Sequence, residues 1–397
     1  MKRSCKHVDI KDTKTVLPWV ADCVYRHWKR NDFRRLILST GVVTAADYVA
    51  AKQINDKRLI APAIPVIAQM ACEIIRRRDF DLPPIRIRKK CDHTTGKERD
   101  IGCESPMQQV LDYIAVHSCT EIWRRRMSRF QMSSIPNRGQ VLGIKMLRKF
   151  VRKDRNALSY AKKHGWRYCR KCRYRVKLDI RKCFPSSKAE VFMRLFVRDC
   201  ASKDIVWLWA TLLFSHRVGG YRGFMIGSLA SQWAAQYLIS FIYTFSMALR
   251  YRGRKAVTTE MMFMDDMGLF SSSRAALKYA VKAISAYSRE VLGYDIKLNW
   301  HIEDMEKSSL DMMGFVIHIS GKVTMRERNF IHSRRIMIRV EISGFMTHKQ
   351  AVRLLSYKGF YKYSDSRTAE ENLNYTNKFM LAAKVVSNHD RRLLNAA

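Results

Sequence analysis

Met261-Met262-Phe263-Met264-Asp265-Asp266-Met267-Gly268-Leu269-Phe270 sets two apolar runs around a pair of adjacent acids. Apolar runs of this length on either side of a short polar centre predict a β-hairpin with Asp265-Asp266 at or beside its turn. Two neighbouring carboxylates between core-forming strands are costly, because like charges repel and both lie close to apolar surroundings. A divalent cation removes that cost, and hard oxygen donors at a tight turn suit Mg²⁺. For the dipeptide alone, a solvated turn is the alternative.

A second stretch changes the chemistry available. Val176-Lys177-Leu178-Asp179-Ile180 is a short apolar strand with an acid near its end. Two strands that present three carboxylates between them can hold two Mg²⁺ ions about 4 Å apart, one activating a hydroxyl and the other neutralising a leaving pyrophosphate. That is nucleotidyl transfer, and it needs a polyanionic template nearby.

The composition supplies the partner. The 397 residues carry 74 Lys+Arg against 35 Asp+Glu, a formal charge of +39. With 47% hydrophobic and 11% aromatic residues the chain can bury a large core, which excludes a disordered polybasic tail. An excess of positive charge on this scale needs a polyanion, most simply nucleic acid and less simply an anionic membrane surface. Ten scattered cysteines, none after Cys200, do not read as a disulfide scaffold. No apolar run follows the basic start MKRSCKHVDIKDTK, so no signal peptide is expected and a reducing cytoplasm is. The stretch between Arg222 and Arg250 has no charged residue, but its Gly, Ser and Gln residues favour a buried helix over a membrane span.

Outward from the acids, residues 1–60 read as a basic helical extension. A helix is expected over Val66–Arg78, a basic hairpin over 85–102 turning at Thr94-Thr95-Gly96, and helices over 105–126 and 141–153. Helices are also expected over 187–214, 228–249 and 273–291. Residues 311–328 alternate as strands do, and 334–395 read as basic helices. Residues 160–176, YAKKHGWRYCRKCRYRV, form the densest basic and aromatic run. Within it Cys169-x-x-Cys172, with His164 upstream, offers an incomplete zinc ligand set; a basic loop is the preferred alternative.

Leu178-Asp179-Ile180-Arg181-Lys182-Cys183-Phe184-Pro185-Ser186 resembles motif A of retroelement reverse transcriptases. Ile226-Gly227-Ser228-Leu229-Ala230-Ser231-Gln232 resembles motif B, and Phe263-Met264-Asp265-Asp266 resembles motif C with Phe in place of Tyr. Gly96–Gly102 is similar to the fingers hairpin of group II intron-type enzymes, and Ser134–Gly139 to the loop that follows. Asn299–Ile302 and Met313–Ile317 are similar to motifs D and E, and Gly321–Arg326 then leads into a thumb. The resemblance covers about 85–395, and its nearest members are the enzymes of diversity-generating retroelements and defence-associated bacterial reverse transcriptases.

That resemblance implies an α+β right-hand polymerase with an antiparallel palm sheet. Residues 1–60 would be an extension, 61–175 fingers, 176–318 palm and 319–397 a helical thumb. It implies Asp179, Asp265 and Asp266 as catalytic metal ligands, with the Ile180 carbonyl beside them and two Mg²⁺ ions (Mn²⁺ substituting). Lys97 and Arg99 would hold the dNTP triphosphate, with Phe184 as a steric gate and Ile226 and Gly227 at the nascent pair. Core packing is the alternative for Phe184, and a backbone contact for Lys97 or Arg99. Arg138, Ser231, Gln232, Phe263 and Met264 would meet template and primer. Implied partners are a template RNA, an RNA/DNA or cDNA duplex, dNTPs, a non-coding RNA and a small basic accessory protein, in a bacterial or phage-encoded cytoplasmic setting without a membrane. Ile226, where many members have Gln, implies relaxed fidelity. The competing roles are anti-phage defence with a non-coding RNA, and a maturase-like RNA-binding protein without catalysis.

Overall fold

The computed structural model describes residues 3–92 and 96–395, and of residues 92, 97 and 390–395 only the backbone. The expected turn residues Thr94 and Thr95 lie outside them. Helices and antiparallel sheets mix along the chain. The strands in chain order are β1 (Arg86–Asp92), β2 (Lys97–Cys103), β3 (Tyr174–Asp179), β4 (Arg250–Tyr251), β5 (Arg254–Lys255), β6 (Thr259–Phe263), β7 (Asp266–Ser271), β8 (Ile302–Asp304), β9 (Leu310–Met312), β10 (Phe315–Ile317) and β11 (Val323–Met325). The chain divides into two compact units. One comprises Met1–Ser128, Ile180–Thr244 and Ile284–Ile296; the other comprises Arg129–Asp179, Phe245–Ala283 and Lys297–Ala397.

The first unit is mainly helical. Its opening helix, Thr13–His27, is capped by the Asp12 carboxylate, which accepts from the Lys14 and Thr15 amides. Val16, Val20, Cys23 and Val24 bury one face, as their spacing requires. The helix expected over 105–126 is two, Pro106–Ser118 and Thr120–Arg126, broken at Cys119. The basic hairpin is β1 against β2, antiparallel.

The second unit holds a four-stranded sheet in the order β6-β7-β3-β8. Directly opposed residues of antiparallel strands share a face. Asp179 opposes Asp266, Lys177 opposes Gly268 and Arg175 opposes Phe270, while Phe263 opposes Asp266 and Met261 opposes Gly268. This face therefore carries Asp179 and Asp266 beside Phe263 at one end and Phe270 beside Arg175 at the other. Met261 and Phe270 are buried with Ile144, Leu147, Val151, Met312 and Phe315 in one apolar cluster. Segment 130–132 covers the outer edge of β6, with Met262 N–H donating to the Phe130 carbonyl at 2.9 Å and Met132 N–H to the Met262 carbonyl at 2.9 Å.

The helix expected over 141–153 runs over Gln140–Lys163. Charged residues 152–155 look like a helix end in the sequence, yet Val151, Asp154 and Ala161 continue the buried stripe. The strand expected over 176–180 begins two residues earlier and ends at Asp179, with Ile180 bridging to Ile296 instead. Strand structure ends at Met325, and five helices follow between Glu327 and Asn395. Among the described residues, no helix is long and apolar enough to cross a membrane.

Candidate active site

The second unit brings the three acids together. Phe263 and Asp266 pair across β6 and β7, leaving Met264 and Asp265 as a two-residue turn. Met264 has φ +55°. A non-glycine residue in that left-handed region costs about 1–2 kcal/mol. Met264→Gly removes this strain and adds back part of it as unfolded-chain entropy. The variant is expected to gain about 0.5–1 kcal/mol, read as a higher denaturant midpoint at unchanged slope.

Asp179 and Asp266 face the same way from neighbouring strands. Burial holds the Asp265 carboxyl above its ordinary range, with negative Asp179 and Asp266 adding to the push and Lys297 opposing it. Two lysines answer the other acids: Lys297 Nζ lies 2.6 Å from Asp179 Oδ1, and Lys177 Nζ 3.2 Å from Asp266 Oδ2. The Lys297 amide also donates to the Asp179 carbonyl at 2.9 Å. Sequence reasoning passed over both lysines. Lys177 had a usable signal, because a residue two before Asp179 on a strand shares its face.

The donor chemistry fits a hard cation. Asp179 Oδ1 is buried and makes no aligned hydrogen bond, even beside the Lys297 ammonium. All the donors are carboxylate oxygens. Among the described residues no three such groups already converge as a ligand cluster. The Lys297 and Lys177 ammoniums supply positive charge beside Asp179 and Asp266. The Cys172 thiol donates to Asp154 Oδ2 at 2.8 Å, while Cys169 is exposed.

Around the acids, Phe263 packs partly into the apolar cluster. Arg138 is half-buried, and its Nη1 donates to the Gln131 carbonyl at 3.1 Å. That contact ties the guanidinium to its own loop.

The remaining candidates lie in the first unit. Lys97 opens β2, and Arg99 is exposed on the same strand. The Gly102 amide donates to the Ile226 carbonyl at 2.8 Å, and Ile101 bridges to Ile226. The hairpin and the Ile226-Gly227 loop are thus joined backbone to backbone. Ile180 is 1% exposed. Phe184 is half-buried on a short helix, Cys183–Ser186, and its carbonyl accepts from the Phe224 amide at 2.9 Å. Gln232 is half-buried. Ser231 is fully buried, accepts from the Met225 amide at 3.0 Å and lies 3.1 Å from His216 Nδ1. Its hydroxyl holds the loop.

Beneath that loop is a buried polar network that sequence reading missed. Asp112 Oδ2 accepts from the Ser228 hydroxyl and from the Ala230 amide, both at 2.9 Å. Glu104 Oε1 lies 3.2 Å from His216 Nε2. Burial pushes Glu104 up to about 7, against hydrogen bonds that lower it, and raises Asp112 well above the ordinary carboxylate range. Burial lowers His216 to about 4.

These shifts predict opposing pH slopes. Glu104 keeps a proton in the folded chain that the unfolded chain loses, so its contribution is complete below about pH 4.5 and lost as pH rises through about 7. The His216 contribution is complete above about pH 6.5 and lost as pH falls through about 4. Glu104→Gln deletes the first slope and eases the push that Glu104 exerts on Asp112. Relative to the parent, its stability is expected to rise with pH between roughly pH 4.5 and 7, by on the order of 1 kcal/mol per pH unit. Urea melts at four pH values check this, and parallel curves for the two proteins would refute it.

No family model and no curated protein matches the chain. Among solved structures it is similar to telomerase from Candida albicans in complex with a fragment of telomeric RNA, at 12% identity and a TM-score of 0.43, over 73% of this chain and 55% of that one. The chain thus spans little more than half the length of that protein. It is also similar to apo telomerase from Candida tropicalis truncated from its C-terminal domain, at 12% identity and a TM-score of 0.43, over 82% of this chain and 83% of that one. At these levels neither likeness assigns a function.

Proposed function

We propose that the chain is an RNA-directed DNA polymerase. The observation that carries this reading is the placement of Asp179 directly opposite Asp266 on adjacent antiparallel strands, with Asp265 in the turn that follows Phe263. Asp265 is held above its ordinary range by burial, and the negative charges of Asp179 and Asp266 add to that push. Asp179, Asp265 and Asp266 would hold two Mg²⁺ ions. Such ions supply an activated primer 3′-hydroxyl and neutralise the leaving pyrophosphate.

The chain's own residues set the conditions for that chemistry. Lys177 and Lys297 balance Asp266 and Asp179 and keep the strands paired before charge arrives. Lys97 and Arg99 bear charge suited to a triphosphate. Phe184 is proposed to exclude a ribose 2′-hydroxyl. In this reading 61–175 form the fingers, 176–318 the palm and 319–397 the thumb, with template RNA and a cDNA duplex as partners.

The test is extension of a DNA primer on an RNA template with dNTPs and Mg²⁺. A ladder that follows the template supports the proposal. No incorporation by the wild-type chain, with the protein folded, refutes it.

Within this activity we propose a diversity-generating role, because Ile226 cannot offer the amide that Gln presents to the nucleotide. Ile226→Gln is expected to lower misincorporation at template adenines about tenfold, the scale of one hydrogen bond's worth of discrimination. Sequencing of the products checks this. An unchanged error spectrum favours the alternative role in phage defence with a non-coding RNA.

A further inference from the structure

The helix Gln140–Lys163 buries Ile144, Leu147 and Val151. Its far side carries Lys145, Lys149, Arg152 and Lys153, and Arg148 and Arg155 flank the buried stripe. A cavity of about 530 Å³ opens there, bounded by Arg148, Arg152, Arg155 and Lys322 with Asp365 as the one acid. That is four cations to one carboxylate.

These arginines are held in place. Arg148 Nη2 donates to Asp365 Oδ1 at 2.9 Å, and Arg155 Nη1 donates to the Ser320 carbonyl at 2.7 Å. Arg152 lies flat against Gly321, where an added Cβ would come within 2.4 Å of the Arg152 Cγ. Arg148 Nε is buried with no acceptor. The remaining Asp365 oxygen accepts from the Val323 amide at 2.8 Å, so this acid is already committed. Guanidiniums fixed around a cavity are arranged for phosphate oxygens.

The end of the same helix adds rings. Tyr160 is 56% exposed and Trp166 is 63% exposed. Their ring centres are 5.6 Å apart, and the His164 ring lies 4.1 Å from Tyr160 and 5.3 Å from Trp166. From Arg148 to Tyr160 the helix rises about 18 Å. A phosphate-binding row that ends in exposed aromatic faces is the combination by which unpaired strands are held: charge follows the backbone and bases stack on the rings. A duplex hides its base faces, and a membrane-binding helix would show a broad apolar face.

We propose that the basic face of the helix Gln140–Lys163, with Tyr160 and Trp166 at its end, is a binding site for a single-stranded polynucleotide. The site goes beyond the polymerase reading and does not depend on the acids.

The experiment uses the full chain and labelled twelve-nucleotide strands of RNA and of DNA, with anisotropy read at moderate salt to suppress diffuse binding. Tyr160→Ala combined with Trp166→Ala is expected to weaken binding about tenfold, the scale of one stacked base. An abasic strand should bind the wild type about as weakly, and should not distinguish the two proteins. Arg152→Glu combined with Arg155→Glu should lower the salt slope by about two phosphate contacts. A 4-thiouridine strand should cross-link within residues 156–170. Asp265→Asn should bind as the wild type does, which separates this site from polymerase activity. Binding of RNA alone, of DNA alone or of both supports the site and names its source. Equal binding by wild type and the aromatic double variant, or cross-links only elsewhere, overturns it. Both rings are exposed, so circular dichroism should show the double variant folded.

Discussion

Replacing Asp265 with asparagine is expected to cut dNTP incorporation by about three orders of magnitude and, at the same time, to stabilise the folded chain. The two effects share one cause. Asp265 is held above its ordinary range by burial, and negative Asp179 and Asp266 push it further. Asparagine keeps the shape of the turn and removes the repulsion, so a gain of about 1 kcal/mol in stability is expected. In the proposed polymerase it would also remove an anionic metal ligand, and several kcal/mol of transition-state stabilisation would go with it. Asp179→Asn separates the two effects. It should be as inactive, but it loses the contact with Lys297, a half-exposed pair of the kind worth about 0–1 kcal/mol, and so gains no stability. Primer extension and thermal melts of both variants check this. If Asp265→Asn kept full incorporation, the acids would have no catalytic role.

Local patterning made the acid-bearing hairpin legible. Two apolar runs flank Asp265-Asp266, and β6 and β7 fall within two residues of where that pattern put them. The basic hairpin was legible from the alternation of Ile85-Arg86-Ile87-Arg88. The break at Cys119 was not, because apolar residues continue at helical spacing through both helices. The Lys297 contact with Asp179 joins residues 118 positions apart and has no local signature. The network of Glu104, Asp112, His216 and Ser228 is likewise long-range. Asp112 alone left a clue, an acid on the apolar stripe of helix Pro106–Ser118. Helix Gln140–Lys163 was read short because its charged outer face masks a buried row that continues to Ala161. Where a residue's function depends on its own strand or turn, sequence suffices; where it depends on a distant partner, it does not.

Gly227→Ala is expected to destabilise the first unit by about 3–6 kcal/mol, far more than alanine at a comparable glycine nearby. Gly227 has φ +111°, a conformation alanine adopts only under strain. A Cβ there would also sit 2.7 Å from the Gly102 carbonyl oxygen. That oxygen belongs to backbone and cannot swing aside as a flexible side chain would. Relief must come from separating the loop from β2, which stretches the 2.8 Å bond between the Gly102 amide and the Ile226 carbonyl. Backbone strain of about 1–2 kcal/mol, overpacking of about 1–3 and a weakened hydrogen bond of about 1 together give the expected loss. Gly219 supplies the control: it has φ +55° with nothing within 4 Å of an added Cβ, so Gly219→Ala carries the conformational cost alone, about 1 kcal/mol. The difference between the two variants isolates the contact between loop and hairpin. Below its melting transition, Gly227→Ala should still incorporate dNTPs poorly, because Arg99 and Ile226 stand on the two backbones that the new methyl pushes apart. Equal melting temperatures for the two variants would show that the loop and the hairpin do not touch at this point.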